Sequence, residues 1–171
     1  MHTRLFALAA AALAACGGSV NTTPGQSSSC SVTLSGGLTG TYDCKPAVTA
    51  WASSNNQGGF SFGVAQSGST PSISVAVGMP GEPHTGTYTT TTSGVDSAIA
   101  INTGSGGTAQ YWIEGSGSGS QTTGTFTLTF SSVSNAITAS NGKVYTGDGT
   151  LTATLKNATG GGADVTLSAT F

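Results

Sequence analysis

Apolar and polar side chains alternate along most of this chain, and this spacing constrains the fold more than any other feature. In "FTLTF" (126–130) the apolar residues occupy every second position, with threonine between them. The same alternation recurs in "ISVAV" (73–77), "LTATL" (151–155) and "VTLSATF" (165–171). A period of two is typical of strands with one buried and one solvated face. No stretch shows the 3.6-residue period of a convincing amphipathic helix.

The segments between these runs indicate how the strands connect. They are short clusters of Gly, Ser, Asn and Pro, which are typical of turns between strands. Such short connections favour antiparallel pairing, and the sequence therefore predicts an all-β fold over residues 30–171. We expect an antiparallel β-sandwich of about ten short strands, and a closed β-barrel is the alternative.

The first fifteen residues have the composition of a secretory signal. Arg4 precedes an uncharged stretch, residues 5–15, that contains only Leu, Phe and Ala. This stretch is too short to cross a bilayer as a helix, which needs about 20 apolar residues. A basic start followed by a short apolar region indicates a signal peptide over residues 1–15.

The apolar stretch ends on Leu13-Ala14-Ala15-Cys16, which resembles the lipobox of bacterial lipoproteins. The resemblance implies that the signal is removed before Cys16 and that Cys16 carries the lipid anchor, so a membrane is an expected partner. Gly17 follows instead of Asp, which by the same resemblance favours the bacterial outer membrane. An ordinary signal peptide with an unrelated cysteine is the alternative. Residues 16–29 comprise the lipidated cysteine and a flexible tether rich in Ser, Gly and Thr.

Two further cysteines, Cys30 and Cys44, lie symmetrically about "SGGLT" (35–39). A three-residue hairpin loop at 36–38 places Cys30 directly opposite Cys44 and places the apolar residues of both strands on one face. Directly opposed positions provide the short Cβ separation that a disulfide requires. The sequence therefore predicts a Cys30–Cys44 disulfide, and a reactive-thiol or metal-binding role is the alternative.

The scarcity of charge excludes several classes of function. Only 6% of the residues are charged, against about 25% in an average domain. Nucleic acid is not an expected partner, because binding phosphates needs clustered Lys and Arg. Glu82 and His84 lie together in a Pro/Gly loop, but one histidine and one carboxylate fall short of the three or four ligands of a zinc site. Asp148 lacks the further carboxylates that calcium needs, so no metal or cofactor is expected. The pattern Gly-x-Ser-x-Gly at 59–63 lies within a predicted strand, without the strand-to-helix turn of a nucleophile elbow. We therefore expect no catalytic residues and no enzyme.

One segment, "AQYWIEG" (109–115), suggests a ligand contact. If the solvated face of this strand carries Gln110, Trp112 and Glu114, an indole lies beside an amide and a carboxylate. This arrangement is typical of sheets that bind sugars through an aromatic stacking surface. The alternative is that a second sheet covers Trp112, since tryptophan is often buried despite polar neighbours.

Together these features predict a non-enzymatic, membrane-anchored extracytoplasmic lipoprotein of the bacterial outer membrane. It is expected to serve as a structural, adhesive or protein-binding module. The alternative is a carbohydrate-binding surface domain that uses Trp112. A glycan or a protein is accordingly the partner expected besides the membrane.

Overall fold

A computed structural model describes residues 29–44, 47–65, 67, 71–104, 109–116, 124–159 and 162–171. The predicted signal peptide, Cys16 and nearly all of the tether lie outside these residues. The described residues form eleven strands and no helix, which confirms the all-β prediction. A helix long and apolar enough to cross a membrane is therefore absent from the described ranges.

The strands are β1 (Ser31–Gly36), β2 (Gly40–Asp43), β3 (Val48–Ala52), β4 (Gln57–Val64), β5 (Ser72–Pro80), β6 (Gly86–Thr89), β7 (Asp96–Asn102), β8 (Tyr111–Ser116), β9 (Thr125–Ala139), β10 (Gly142–Asn157) and β11 (Val165–Thr170). All of their pairings are antiparallel. The Gly-x-Ser-x-Gly pattern lies inside β4, as the alternation of its phenylalanines predicts.

The first hairpin has the register that the sequence predicts. Val32 pairs with Tyr42, and the Cys30–Cys44 disulfide joins the two strands with a Cα–Cα distance of 5.1 Å. The Cys44 backbone N–H also donates to the Cys30 carbonyl oxygen at 3.0 Å. β1 ends at Gly36, whose φ of 95° lies in the left-handed region that glycine adopts without a steric penalty.

The eleven strands form one continuous sheet that folds into two layers, and β10 connects the layers. One layer has the strand order β2-β1-β11-β10-β9-β6, and the other has the order β3-β4-β5-β7-β8. The beginning of β10 pairs with β3, whereas residues 150–155 pair with β11. The ladder between β9 and β10 is irregular at Val144/Tyr145 and at Asp148/Gly149. Such bulges bend a strand, which lets β10 run from one layer into the other.

The architecture is sandwich-like. Residues 156 and 157 of β10 also pair with β8, which joins the layers on one side. Within the described residues, however, β2 pairs only with β1 and β6 only with β9. These strands leave free edges, which full closure of a barrel removes.

The core lies between the layers and is formed by the alternate apolar residues. Phe60 of β4 packs across the interface against Phe130 and Phe171, with ring centroids 5.5 Å and 4.5 Å apart. Each fully buried side chain of this size contributes about 1.5–3 kcal/mol. The apolar positions therefore face inward, and the intervening Ser and Thr residues of the first layer face outward.

Candidate functional site

The outer side of the first layer carries a regular array of hydroxyl groups, which we call the hydroxyl face. It extends over six neighbouring strands, and its side chains are exposed or half-exposed. The face comprises the outward positions of six strand segments: residues 31–35, 41–43, 87–89, 125–129, 150–154 and 166–170. All of these outward positions are Ser or Thr, apart from Asp43. The members are Ser31, Thr33, Ser35, Thr41, Thr87, Thr89, Thr125, Thr127, Thr129, Thr150, Thr152, Thr154, Thr166, Ser168 and Thr170.

The register of the pairings aligns these residues in rows that cross the strands. The central row spans all six strands and contains Thr41, Thr33, Ser168, Thr152, Thr127 and Thr89. A second row, from Asp43 through Ser31 to Thr87, also crosses six strands, and a third row crosses four, from Ser35 to Thr125. Strand spacing of about 4.8 Å makes the face about 24 Å wide, and successive rows lie about 6.8 Å apart.

The face is polar but uncharged over most of its area. Neighbouring hydroxyls interact across the strands: the Thr33 and Thr41 oxygens are 3.3 Å apart, and those of Thr87 and Thr129 are 3.1 Å apart. Each hydroxyl is both a hydrogen-bond donor and an acceptor. Among the described residues, charge lies only at the margin of the face: Asp43 on the outermost strand β2, Asp148 two residues before Thr150, and Lys156, which forms an ion pair with Asp164 at 2.5 Å. The face therefore offers many neutral hydrogen bonds and little electrostatic attraction.

The expectation that Trp112 lies on the solvated face is wrong. Trp112 is only 1% exposed, and its indole N–H donates to the Ala163 carbonyl oxygen at 2.9 Å. Its neighbours Tyr111 and Ile113 face outward instead, with exposures of 43% and 37%. The interior satisfies the single polar atom of the indole and buries its large apolar surface, so this orientation is favoured. Trp112 therefore offers no stacking surface for a sugar.

The other two residues of the expected sugar site do not lie together. Gln110 is exposed, whereas Glu114 is 1% exposed because it shares the inward face of β8 with Trp112. One carboxylate oxygen of Glu114 accepts a hydrogen bond from the Ser97 hydroxyl at 3.0 Å, and the other oxygen has no hydrogen-bond partner. The alternation that buries the indole thus also buries a carboxyl group.

Burial raises the pKa of Glu114 above its ordinary value, and the Ser97 hydrogen bond opposes this only in part. The folded state therefore favours the protonated form of the side chain. Its contribution to stability is fully present below the unfolded-state pKa. That contribution is lost as the pH rises through the raised pKa of the folded state.

A second polar cluster, which we call the clasp, contains Glu82, Lys143 and Tyr145. Lys143 Nζ lies 2.8 Å and 2.9 Å from the two Glu82 carboxylate oxygens, and the Tyr145 hydroxyl donates to Glu82 Oε2 at 2.5 Å. Lys143 Nζ also lies 5.4 Å from the centre of the half-buried Trp51 ring. The clasp fastens the loop that carries Glu82 to β10.

The protonation states of the clasp do not suit acid–base chemistry at neutral pH. The hydrogen bond from Lys143, followed by that from Tyr145, lowers the pKa of Glu82, which keeps it ionised. Burial, and then the hydrogen bond to Glu82, raise the pKa of Tyr145 to about 12. A general acid or base works best with a pKa near the operating pH. The clasp is therefore better suited to holding a loop than to transferring protons.

His84 lies two residues after Glu82 in the chain, and its ring contacts Tyr88. Its Nδ1 lies 2.9 Å from the hydroxyl of the buried Tyr88, and the rings meet edge to face. Burial raises the pKa of Tyr88. In the described ranges no three His, Cys, Asp or Glu side chains lie close enough together to hold a metal ion.

No family model, curated protein or solved structure matches this chain. The sequence reasoning missed the hydroxyl face as a surface, although the alternating threonines of "TFTLTF" (125–130) and "LTATL" (151–155) were its signal. Those threonines were expected to face water, but which strands lie beside one another depends on the tertiary topology.

Proposed function

We propose that this protein is a non-enzymatic lipoprotein, anchored at the bacterial outer membrane through Cys16, that acts as an adhesive module. The hydroxyl face is the observation that carries the adhesive role. It is a broad, uniform and exposed surface of fifteen Ser and Thr residues on a sheet held rigid by pairing on both sides of its inner strands.

The anchor and the disulfide support an extracytoplasmic location. The lipobox-like ending at Cys16 follows a short signal-like stretch, and residues 17–28 separate it from the first described residue. The Cys30–Cys44 disulfide belongs to the kind of bond that persists in oxidising compartments and is rare in the cytosol. Several acyl chains hold a protein at a membrane, whereas a single chain binds only weakly and reversibly.

The described polar clusters support a role without catalysis. The clasp holds its carboxylate and its phenol at pKa values far from neutrality, and Glu114 is enclosed in the core. The hydroxyl face consists of Ser and Thr hydroxyl groups, which do not titrate near neutral pH. These groups are suited to contact with a partner and not to proton transfer.

The anchor is tested by changing Cys16 to Ser in the full chain. We expect the wild-type protein to incorporate labelled palmitate and to sediment with membranes, and the Cys16→Ser variant to do neither. The double variant Cys30→Ser/Cys44→Ser is the matched control, because it also replaces cysteine with serine but leaves the anchor. Membrane sedimentation of Cys16→Ser at the wild-type level contradicts the anchor.

The adhesive role is tested with cells that carry the anchored protein. Such cells are expected to be retained under flow on a layer of their own extracellular matrix more strongly than cells that produce Cys16→Ser. Equal retention of both strains contradicts the adhesive role. An equal amount of both proteins, measured by immunoblotting, is the necessary control.

A further inference from the structure

We propose that the hydroxyl face binds neutral polysaccharide chains laid side by side in a flat layer. This inference rests on the proposed adhesive function and names the partner. Its basis is the rows of Ser and Thr that the strand register aligns, with the central row crossing six strands at Thr41, Thr33, Ser168, Thr152, Thr127 and Thr89.

The charge of the face favours a neutral partner. Fifteen of its sixteen outward positions are uncharged, and the one charged position, Asp43, lies on the outermost strand β2. A polyanion or an anionic lipid surface requires clustered Lys or Arg, and the hydroxyl face contains neither. An uncharged polymer rich in hydroxyl groups matches both the donors and the acceptors of the face.

The shape and composition of the face favour an extended partner over a protein or a small molecule. Protein interfaces concentrate their binding energy in aromatic, Met and Arg anchors, and the face has none of these. Small ligands bind in concave pockets, whereas these side chains stand on an open sheet. Its twelve threonines add methyl groups beside the hydroxyls, which suits the mixed polar and apolar faces of sugar rings.

The size of the face determines how tightly one domain binds. Exposed hydroxyls exchange hydrogen bonds with water for hydrogen bonds with the partner, so each contributes only about 0.5–1.5 kcal/mol. The face measures roughly 24 Å by 14 Å, well below the area of a standard interface. A single domain is therefore a weak binder. Many copies anchored in one membrane bind much more strongly because their contacts form together.

The experiment uses the full anchored protein in phosphatidylcholine vesicles, which carry no net charge. Microcrystalline cellulose and chitin are the neutral probes, and alginate beads are the charged probe. The test variant is Thr33→Val/Thr127→Val/Thr152→Val, which removes three hydroxyls of the central row and keeps the β-branched shape. The control is Ser74→Val/Ala98→Val/Ala100→Val, which places three valines at exposed positions on the second layer.

We expect wild-type vesicles to bind cellulose or chitin equally well at 0.1 M and about 1 M salt, since screening weakens only charge-based contacts. The Thr→Val triple variant is expected to bind at least about tenfold less, and the control triple variant as much as wild type. Circular dichroism verifies that all three proteins are folded. Should the triple variant misfold, Thr152→Arg, a single bulky change in the centre of the face, is expected to abolish binding.

Three outcomes overturn the inference: wild-type vesicles that bind neither cellulose nor chitin, triple-variant vesicles that bind as well as wild type, and salt-sensitive binding to alginate alone. If any of them occurs while anchored cells are still retained on their matrix, the adhesive function stands and only the neutral partner is wrong. If retention on the matrix also fails, the proposed function is wrong as well.

Discussion

Replacing Trp112 with Ala is expected to destabilise the domain by about 3–5 kcal/mol, the usual cost of deleting a buried aromatic side chain. The indole is 1% exposed and donates its N–H to the Ala163 carbonyl oxygen. Deleting it leaves a cavity in the core and removes the bond between β8 and the segment before β11. A loss of this size is a large part of the 5–15 kcal/mol that typically stabilises a domain. It corresponds to a fall in Tm of roughly 6–20 °C.

Two further variants separate the contributions to this loss. Trp112→Phe keeps most of the apolar volume but leaves the Ala163 carbonyl without its donor, so we expect a loss of about 1–3 kcal/mol. Trp51→Ala is the control, because Trp51 is half-exposed and contacts Lys143 through its ring. We expect it to cost about 1 kcal/mol.

The assay is urea unfolding followed by far-ultraviolet circular dichroism, with the free energy taken from the midpoint and slope. A loss below about 1 kcal/mol for Trp112→Ala, with an unchanged slope, refutes the burial argument. Equal losses for Trp112→Ala and Trp51→Ala refute it as well, because the two indoles differ in exposure.

Three other changes test the buried carboxyl group, the disulfide and the clasp. Glu114→Gln is expected to gain stability relative to wild type as the pH rises from about 4 to 8, since the raised pKa of Glu114 penalises ionisation. A difference in unfolding free energy between variant and wild type that is the same at both pH values contradicts this. The double variant Cys30→Ser/Cys44→Ser is expected to lose about 3 kcal/mol of unfolding free energy, because the disulfide closes a loop across 14 positions and restricts the unfolded chain. An unchanged midpoint of urea unfolding contradicts this stabilisation. Glu82→Gln is expected to lower the pKa of Tyr145 from about 12, and ultraviolet titration of the phenol should show the shift. A titration midpoint identical to wild type would mean that burial alone sets the pKa.

The first hairpin was predictable from the sequence because its information is local. Cys30 and Cys44 are close in the chain, and one choice of loop length brings together both the cysteines and the apolar residues. The register then follows from the period of two, since a slip of one residue would turn the whole buried set outward. The structure confirms this pairing.

The orientation of β8 was not predictable in the same way. Residues 111–114 place large side chains on both faces, so alternation alone does not decide which face is inside. The inward orientation of Trp112 involves a hydrogen bond from its indole to the Ala163 carbonyl oxygen, which is remote in the sequence. Tertiary contacts of this kind override the rule that polar neighbours indicate a solvated face.

The hydroxyl face was predictable from the sequence only in part. Each threonine at an alternate position was expected to face water, and the structure places them outward. Their assembly into rows depends on β1 lying beside β11 and β6 lying beside β9, which are distant in the sequence. A sequence read strand by strand therefore contains the members of the surface but not their arrangement.

The position of β1 has a mechanical consequence for an anchored adhesive protein. If the chain is anchored at Cys16 as proposed, tension from the membrane enters the described fold at Ser29, just before β1 begins at Ser31. That strand is hydrogen-bonded along its length to β11, with six residue pairs, and on its other side to β2. A pull along β1 shears two ladders at the same time, and the Cys30–Cys44 bond transmits part of the pull directly to β2. Because all three strands belong to the layer that carries the hydroxyl face, tension from the proposed anchor would pass to that face without crossing the core.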